Sequence, residues 1–479
     1  MRTYKQHPIS LFEGIWKRLF ILLFPLLRGL LAFKFDIYHW ATGAWFDILI
    51  ISSLLIYAAL RWQSRRCSYQ NSILTYNDGI IMRRTSNIPS YKLTTVYMTQ
   101  NPIYMILGAV SVRADTDTGS RKFSDFRMTM KVKDAKKLEE YLIGKDIKIT
   151  KKYYSPRVGY LVIFSLLNSS AFTGILLLSA FISQAGAILG KQLKDELLYT
   201  LNDFSSKFAR GIPPLAITIS IILICGWLIG FVFNIFHYLK FNILRDSDKL
   251  IVNKGILVKK KYMLNRNRII YYDLRQTLLT KILSISSAYL YISGYGKERR
   301  DTSALIPATS IHEIQSTMKM LLPEIKETKT TIKPPKRAWI SYCMPAVFLI
   351  ALIPVALLTV VYFIPFLKPF FTFSVVIAEI PAIWFFIVRF VAVFMAGIGE
   401  SNSVITLKYT HGYAFHSVSM FKTKIAKVKI MRSPFNYLSG RCTIYFYSIG
   451  EHAKRHRIQG INYKDAFTFA KKFEGSQTY

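Results

Sequence analysis

The chain has 479 residues, 52% of them hydrophobic, and its 64 Lys and Arg against 27 Asp and Glu give a net charge of +37. This composition is too apolar for an ordinary soluble enzyme, and the length suits three or four domains. The positive excess requires an anionic counterpart, either nucleic acid or the inner face of a membrane. The four cysteines lie far apart without CxxC spacing, so the sequence predicts no disulfide framework, no metal site and no cofactor.

Six apolar segments are long enough to cross the roughly 30 Å hydrocarbon core of a bilayer as helices. They form three pairs, and a polar, basic segment follows each pair. The predicted spans are residues 19–35, 44–60, 158–188, 212–239, 342–366 and 370–396. The loops within pairs carry few cations, whereas the N-terminal tail and the three large segments carry most of the Lys and Arg. The positive-inside rule therefore places the N-terminus and all three large segments in the cytoplasm.

The last predicted span contains an acidic residue, Glu379. Charged residues at membrane depth are usually functional or paired, so Glu379 is a candidate for a role in transport or proton relay. Packing against a neighbouring span, or protonation in place, are the alternatives. Arg389 lies off the face of Glu379, so no pair within the helix is predicted, and Arg389 can reach the cytoplasmic interface by snorkelling.

Each large segment begins with a similar pattern: SILTYNDGIIMRR, KLIVNKGILVKKK and ITLKYTHGYAFHS. Two β-rich runs flank a glycine in each copy, which predicts a hairpin with positive φ at Gly79, Gly255 and Gly412. Gln100 and Gln276 each lie 21 positions after their glycine. Arg432 lies 20 positions after the third glycine. Because the register continues downstream, the sequence predicts three copies of one module.

In the first copy, KLTTVYMTQNPIYMILG predicts a strand, a proline-marked turn and then an apolar cluster that plugs the module. Each copy closes on an amphipathic helix that begins near Asp134, Ser310 or Asn462, and Ser310 with Glu313 predicts a capping box. The predicted fold is a multi-pass α+β membrane protein with six transmembrane helices in three hairpins. A β-sandwich or barrel with a C-terminal helix follows each hairpin. The predicted segments are hairpins at 1–61, 153–239 and 335–396 and modules one, two and three at 62–152, 240–334 and 397–479.

The stretch IPSYKLTTVYMTQNPIYMILGAVSV resembles the signature of the bacterial pleckstrin-homology (PH) domain of the YdbS/YdbT type. Asn101 stands where that family often has glycine. The whole plan is similar to longer YdbT-like members, in which two spans precede each of three such domains. The resemblance implies a PH fold and implies neither a catalytic activity nor inositol-lipid binding. The matching residues are Ile88, Pro89, Val96, Gln100, Pro102, Leu107 and Gly108.

No P-loop, GxGxxG turn, HExxH helix or nucleophile elbow occurs in the sequence. His452 and His456 are four residues apart, but they lie in a basic, turn-like stretch rather than a helix. His411 and His416 flank the third hairpin glycine and are expected to be surface residues. The sequence therefore predicts that the protein is not an enzyme.

Basic clusters are the remaining signal. These clusters are compatible with a solvated, positively charged cytoplasmic face or with contact to anionic lipid head groups. Nucleic-acid binding would use similar residues, but the sequence contains no nucleic-acid-binding motif. The candidate lipid contacts are Arg83, Arg84, Lys259, Lys260, Lys261, Arg266, Arg268, Lys422, Lys424, Lys454 and Arg455.

The leading hypothesis is a non-enzymatic protein of the bacterial inner membrane. Its modules would act as a scaffold close to the lipid surface, or would assemble with a membrane-protein partner or a second copy. The expected physiological role is in envelope stress or resistance. The alternative is a component for export of lipids or small molecules, with the spans as its working part.

Overall fold

The computed structural model describes residues 2–13, 45–116, 125–143, 152–167, 196, 199–200, 203, 214–246, 248–292, 304–365, 368–449 and 455–475. The described residues form helices and antiparallel sheets, so the α+β fold class is confirmed. The chain divides into two compact units. The first comprises residues 1–153, 243–268 and 294–301, and the second comprises 154–242, 269–293 and 302–479.

The first unit contains a four-stranded sheet of order β1-β2-β3-β4 and a seven-stranded sheet of order β7-β6-β5-β11-β10-β9-β8. The strands are β1 Arg2–Lys5, β2 Arg66–Gln70, β3 Ile73–Asp78, β4 Arg84–Pro89, β5 Leu93–Gln100, β6 Ala109–Thr116, β7 Phe126–Lys131, β8 Lys152–Tyr154, β9 Asn242–Asp246, β10 Lys249–Lys254 and β11 Lys259–Asn265. The helices are α1 Ser10–Glu13, α2 Trp45–Ser64, α3 Pro102–Ile106 and α4 Val132–Ile143.

The core of the first unit lies between its two sheets. Leu74 of the four-stranded sheet packs with Val112 and Phe126 of the seven-stranded sheet, and all three are fully buried. Helix α4 adds Ala135 and Leu138 to this core. The apolar face predicted for this helix is therefore confirmed.

The second unit contains a six-stranded sheet of order β14-β13-β12-β17-β16-β15 and a three-stranded sheet of order β18-β19-β20. The strands are β12 Ile269–Thr277, β13 Ile285–Ile292, β14 Ala304–Ser310, β15 Gly397–Glu400, β16 Val404–His411, β17 Ala414–Phe421, β18 Ile425–Met431, β19 Arg441–Ser448 and β20 Arg455–Asn462. The helices are α5 Val158–Leu167, α6 Pro214–Tyr238, α7 Leu278–Ile282, α8 Ile311–Leu321, α9 Trp339–Phe363, α10 Lys368–Met395, α11 Pro434–Leu438 and α12 Tyr463–Gly475.

The sheets run from one module into the next. Strand β5 of module one pairs with β11 of module two, and β12 of module two pairs with β17 of module three. The sequence predicted three separate sandwiches, and the structure instead shares sheets between them. The physical reason is that β5 and β12 would each be an edge strand with unpaired backbone groups. Pairing this edge with a strand of the next module satisfies those groups.

The internal repeat is confirmed in the backbone. The hairpin glycines have φ of +112°, +85° and +60° at Gly79, Gly255 and Gly412. The first amide of each closing helix donates a hydrogen bond to the carbonyl oxygen two positions after the single-turn helix α3, α7 or α11. These bonds join Val132 to Gly108, Ile311 to Ser284 and Tyr463 to Gly440, at 3.0–3.1 Å.

Two local predictions are wrong. Ser310 makes no side-chain capping bond, and Glu313 accepts instead from the Thr309 hydroxyl at 2.8 Å. The apolar cluster after β5 does not plug the module, because Ile106 is 85% exposed. It forms the single turn α3, which is too short to turn an apolar face back onto the sheet.

Three described helical segments are long and apolar enough to cross a membrane: Ser220–Tyr238, Lys336–Phe363 and Ser374–Met395. Two shorter apolar helical segments, Leu49–Ser64 and Val158–Leu167, overlap the predicted second and third spans. The predicted span 19–35 and most of 158–188 lie outside the described residues. The arrangement of six spans in three hairpins therefore stays a prediction.

Gly399 of β15 gives a direct test of this packing. A Cβ atom at this position would lie 2.5 Å from the carbonyl oxygen of Lys329, because residues 328–333 run directly against the strand. Gly399→Ala should lower the free energy of unfolding by about 1–3 kcal/mol. The measurement is the thermal unfolding midpoint of the full-length protein in detergent.

Gly159→Ala is the control, since a Cβ at this exposed position of α5 meets no atom within 4 Å. It should change stability by less than about 1 kcal/mol. Equal midpoints for the two variants would contradict the close approach at Gly399.

Candidate functional site

A polar cavity of about 300 Å³ opens in the second unit, where α9 and α10 meet the sheet β18-β19-β20. Helix α9 contributes residues from its first turns, α10 contributes one arginine, and the rest come from β18, α11, β19 and β20. None of the lining residues is acidic. They are Ser341, Tyr342, Pro345, Arg389, Met431, Arg432, Ser433, Asn436, Thr443, Tyr445, Arg457 and Gln459.

Packing of the helix pair on module three holds the cavity in place. Helices α9 and α10 contact each other along their length, and Val388 and Ala392 of α10 are buried in the core of the unit. The hydroxyl of Tyr342 on α9 donates to the carbonyl oxygen of Gln459 on β20 at 2.9 Å. Gly460 allows this approach, because a Cβ there would lie 3.0 Å from Ala338.

Arg432 reaches the cavity because it replaces the glutamine of the other two copies. Gln100 and Gln276 each donate from Nε2 to the backbone oxygen nine residues ahead, at 3.0 and 2.8 Å, and so brace the short helix between. Arg432 instead donates to the carbonyl oxygen of Tyr437 at 3.3 Å. Its guanidinium lies over the rings of Tyr437 and Tyr463, 4.3 Å from each centroid.

The three arginines bring like charges together without a carboxylate. Arg389 lies over the Phe385 ring at 4.8 Å, and its interaction with Arg457 is repulsive. The Nε atoms of Arg389 and Arg432 are buried and have no hydrogen-bond partner among the described residues. Buried donors that lack acceptors carry a free-energy cost, which an anion in the cavity would remove. The arrangement therefore suits a phosphate-bearing anion, with Ser341 and Thr443 as additional hydroxyl donors.

Sequence reasoning did not assign this cavity. Arg389 was expected to snorkel, and Arg432 served only as a register marker. The sequence feature that could have indicated the cavity is Arg432, which stands in the third copy where the first two copies have Gln100 and Gln276.

The structure does not bring the predicted lipid contacts into one site. Arg83 and Arg84 are exposed beside the first hairpin, Lys259 is exposed at the start of β11, and Arg455 is exposed with its guanidinium 5.0 Å from the Tyr445 ring. Lys260, Arg268 and Lys424 are half-buried, Arg266 is buried, and Lys454 lies outside the described residues. Lys261 pairs with Glu139, and Lys422 pairs with Glu400 at 2.6 Å.

Glu379 lies in α10, two residues before Pro381, and is half-buried. Its Oε2 atom is buried and has no hydrogen-bond partner among the described residues. No ion pair with Arg389 forms between these two described side chains, as expected.

A buried polar network at the junction of β12 and β17 is a second cluster of titratable groups. Asp273 accepts from Arg275 Nε at 2.7 Å and contacts His416 Nδ1 at 3.0 Å. Burial alone would lower the pKa of the Arg275 guanidinium, but Asp273 and neighbouring tyrosines raise this pKa above its ordinary value. The expectation that His416 is a surface residue is wrong, because its side chain is only 11% exposed and stacks on the Tyr409 ring with centroids 5.1 Å apart. Asp273 is only 2% exposed, so the network is shielded from solvent. The network joins β12 of module two to β17 of module three.

His456 is also buried, and its Nδ1 atom lies 2.9 Å from the Tyr409 hydroxyl. His452 lies outside the described residues, which contain no cluster of metal-ligating side chains. Three cysteines, Cys67, Cys343 and Cys442, are buried. Burial raises the pKa of the Cys67 thiol to about 12, so this thiol is unreactive.

A family model described as the bacterial PH domain matches residues 21–146 and 197–323, which is more than half of the chain. The chain belongs to the bacterial PH-domain family. Each matched range covers strands of one predicted module, and the third module lies beyond them. In this chain, each module contributes three strands to one sheet and three strands to a second sheet, and a closing helix follows. The third copy repeats this order. Neither the curated proteins nor the solved structures contain a match to the chain.

The Asp273 network predicts a stability effect. Asp273→Ala leaves Arg275 and His416 without their shared carboxylate in a buried setting. We expect a loss of roughly 3 kcal/mol in the free energy of unfolding, measured by chemical denaturation in detergent.

Glu140→Ala removes the same charge from an exposed position of α4 and should be nearly neutral. Equal losses for the two variants would rule out the structural role of Asp273.

Proposed function

We propose that this bacterial PH-domain protein is a non-enzymatic membrane scaffold whose third module holds the phosphate of an anionic lipid head group in the arginine cavity. The observation that carries the proposal is the convergence of Arg389, Arg432 and Arg457 without an acidic neighbour in the lining. Arginine suits this task because its planar guanidinium binds phosphate oxygens bidentately and is more weakly hydrated than an ammonium group.

The position of the cavity favours a lipid over a soluble anion. Pro345 and Arg389 lie on two helices that are long and apolar enough to span a membrane. Beyond Pro345, α9 exposes Val347, Phe348 and Leu352, an apolar surface suited to acyl chains. A head group in the cavity would keep its acyl chains beside this surface.

The exposed residues Arg83, Arg84, Lys259 and Arg455 act as a second, less specific attraction. Each basic residue near an anionic surface contributes about 1 kcal/mol, and salt screens this contribution. The proposed partners are therefore the anionic inner leaflet and a membrane protein or second copy, and no nucleic acid.

The lipid site predicts a difference in lipid retention. Wild-type protein purified in detergent should keep phosphatidylglycerol or cardiolipin, as detected by native mass spectrometry. Arg432→Gln should weaken this retention about 10- to 100-fold, because one charge-assisted bond contributes about 1.5–3 kcal/mol.

Lys464→Gln is the matched control, since it removes one charge from an exposed position of α12. Displacement of the lipid by inorganic phosphate alone would assign the site to free phosphate. Equal retention by Arg432→Gln and the control would contradict the proposal.

The proposed location is the bacterial inner membrane, with the N-terminus and all three modules in the cytoplasm. The support is the charge asymmetry between the loops within span pairs and the large basic segments. Reporter fusions after Lys152, Pro334 and Tyr479 should all report a cytoplasmic position. A periplasmic signal from any of the three would overturn this orientation.

Glu379 favours a second candidate function, export of a lipid or small molecule through the spans. Its buried Oε2 atom without a partner among the described residues suits a proton or cation relay. Glu379→Gln should then abolish complementation of a deletion strain at unchanged protein level, and Glu140→Gln should not. Full complementation by Glu379→Gln would leave only the scaffold function.

A further inference from the structure

The single-turn helices α3, α7 and α11 expose large apolar side chains at the same place in each module. Each helix follows the bracing position, at Gln100, Gln276 or Arg432, and is followed two positions later by a residue with φ between +54° and +65°. The most exposed side chains are 85%, 70% and 87% accessible at Ile106, Ile282 and Leu438. The other exposed apolar residues are Ile103, Leu107, Leu279, Leu283, Phe435 and Tyr437. An apolar tip exposed to water is costly, so each of the three tips requires a covering surface.

In the first unit, the N-terminal segment links α3 to the end of the apolar helix α2. Tyr104 of α3 hydrogen-bonds Glu13, and the His7 ring hydrogen-bonds the backbone of Leu107. The adjacent carbonyl oxygen of Gln6 accepts from the indole of Trp62, in the last turn of α2, at 2.8 Å. The N-terminal segment thus connects the first tip to the basic, tryptophan-bearing end of a helix, which is typical of a membrane interface.

In the second unit, α7 lies against the end of α10. Lys281 contacts the sulfur of Met395, the last residue of α10. Close to that end, α10 still exposes Phe390 and Phe394, so its apolar surface continues to the level of this tip. Helix α7 also contacts the apolar helix α5.

The third tip, α11, forms one wall of the arginine cavity. Ser433 and Asn436 line the cavity together with Pro345 of α9 and Arg389 of α10. The outer residues Phe435 and Leu438 therefore project from the same short helix that borders two membrane-length helices.

We propose that the three tips insert their apolar side chains into the interfacial region of the cytoplasmic leaflet of the bilayer. The bilayer is the occupant because every tip adjoins the end of an apolar helix, where that leaflet must lie. Charge agrees with this placement at the second tip, where Lys281 of α7 can meet lipid phosphates. The insertion uses residues outside the cavity and does not depend on the ligand of the cavity.

Fluorophore labelling of the full-length chain tests the insertion. After replacement of the four native cysteines by alanine, Ile106→Cys, Ile282→Cys or Leu438→Cys is labelled with an environment-sensitive dye. Each variant is reconstituted into vesicles of phosphatidylethanolamine and phosphatidylglycerol, with or without brominated acyl chains. The matched control positions are exposed residues farther along the closing helix of the same module, at Glu140, Lys319 and Lys471.

We expect the tip positions to show blue-shifted emission and loss of intensity with brominated lipid, and the controls to show neither. Emission typical of water with quenching by iodide would overturn the proposal, because the tips would then be solvated. A blue shift without quenching by brominated lipid would also overturn it, because a second copy or a protein partner would then cover the tips.

Discussion

Pairing of backbone edges between successive modules is the interaction on which the rest of the structure depends. In the first unit, Thr99 lies opposite Lys260 across β5 and β11, and the rings of Tyr97 and Tyr262 pack edge to face with centroids 5.0 Å apart. In the second unit, the β12–β17 pairing places Asp273 against His416. Each junction satisfies two rows of polar groups that would otherwise face water or invite aggregation. A module in this protein is therefore a repeat of sequence, whereas the unit of packing is a sheet shared by two modules.

The same pairing explains the character of the two terminal edges. Strand β4 is the last strand of its sheet among the described residues, and it carries Arg84 at one end and Pro89 at the other. Strand β18, the third module's counterpart of β5 and β12, is an edge strand of the three-stranded sheet and carries Lys427 and Lys429. Charge and proline on an edge oppose further pairing. Both edge strands thus resist extension, and β18 leads directly into the arginine cavity.

Much of each module could be predicted from the sequence, because local chemistry decides it. The hairpin glycines require positive φ, and the spacing from Gly79 to Gln100 recurs in the second copy. The strand pairing between modules could not be predicted, since the same alternating pattern suits an edge in its own module or in the next. The exposure of Ile106 was missed because an apolar cluster has the same sequence pattern whether it fills a protein core or contacts a bilayer. The cavity was missed because its arginines lie far apart in sequence and converge only when α9 packs on β20 and α10 packs on β16.

A disulfide between strands of modules one and two tests the shared sheet most directly. In a chain without its native cysteines, Thr99→Cys with Lys260→Cys places two thiols on directly opposed residues. Thr99→Cys with Lys254→Cys is the control, because two strand spacings separate these positions by about 9–10 Å, beyond disulfide reach. The account predicts that mild oxidation joins the first pair and not the second, as read by mass spectrometry of the linked peptides. Failure of the first pair to join in the folded protein, or equal joining of both pairs, would contradict it.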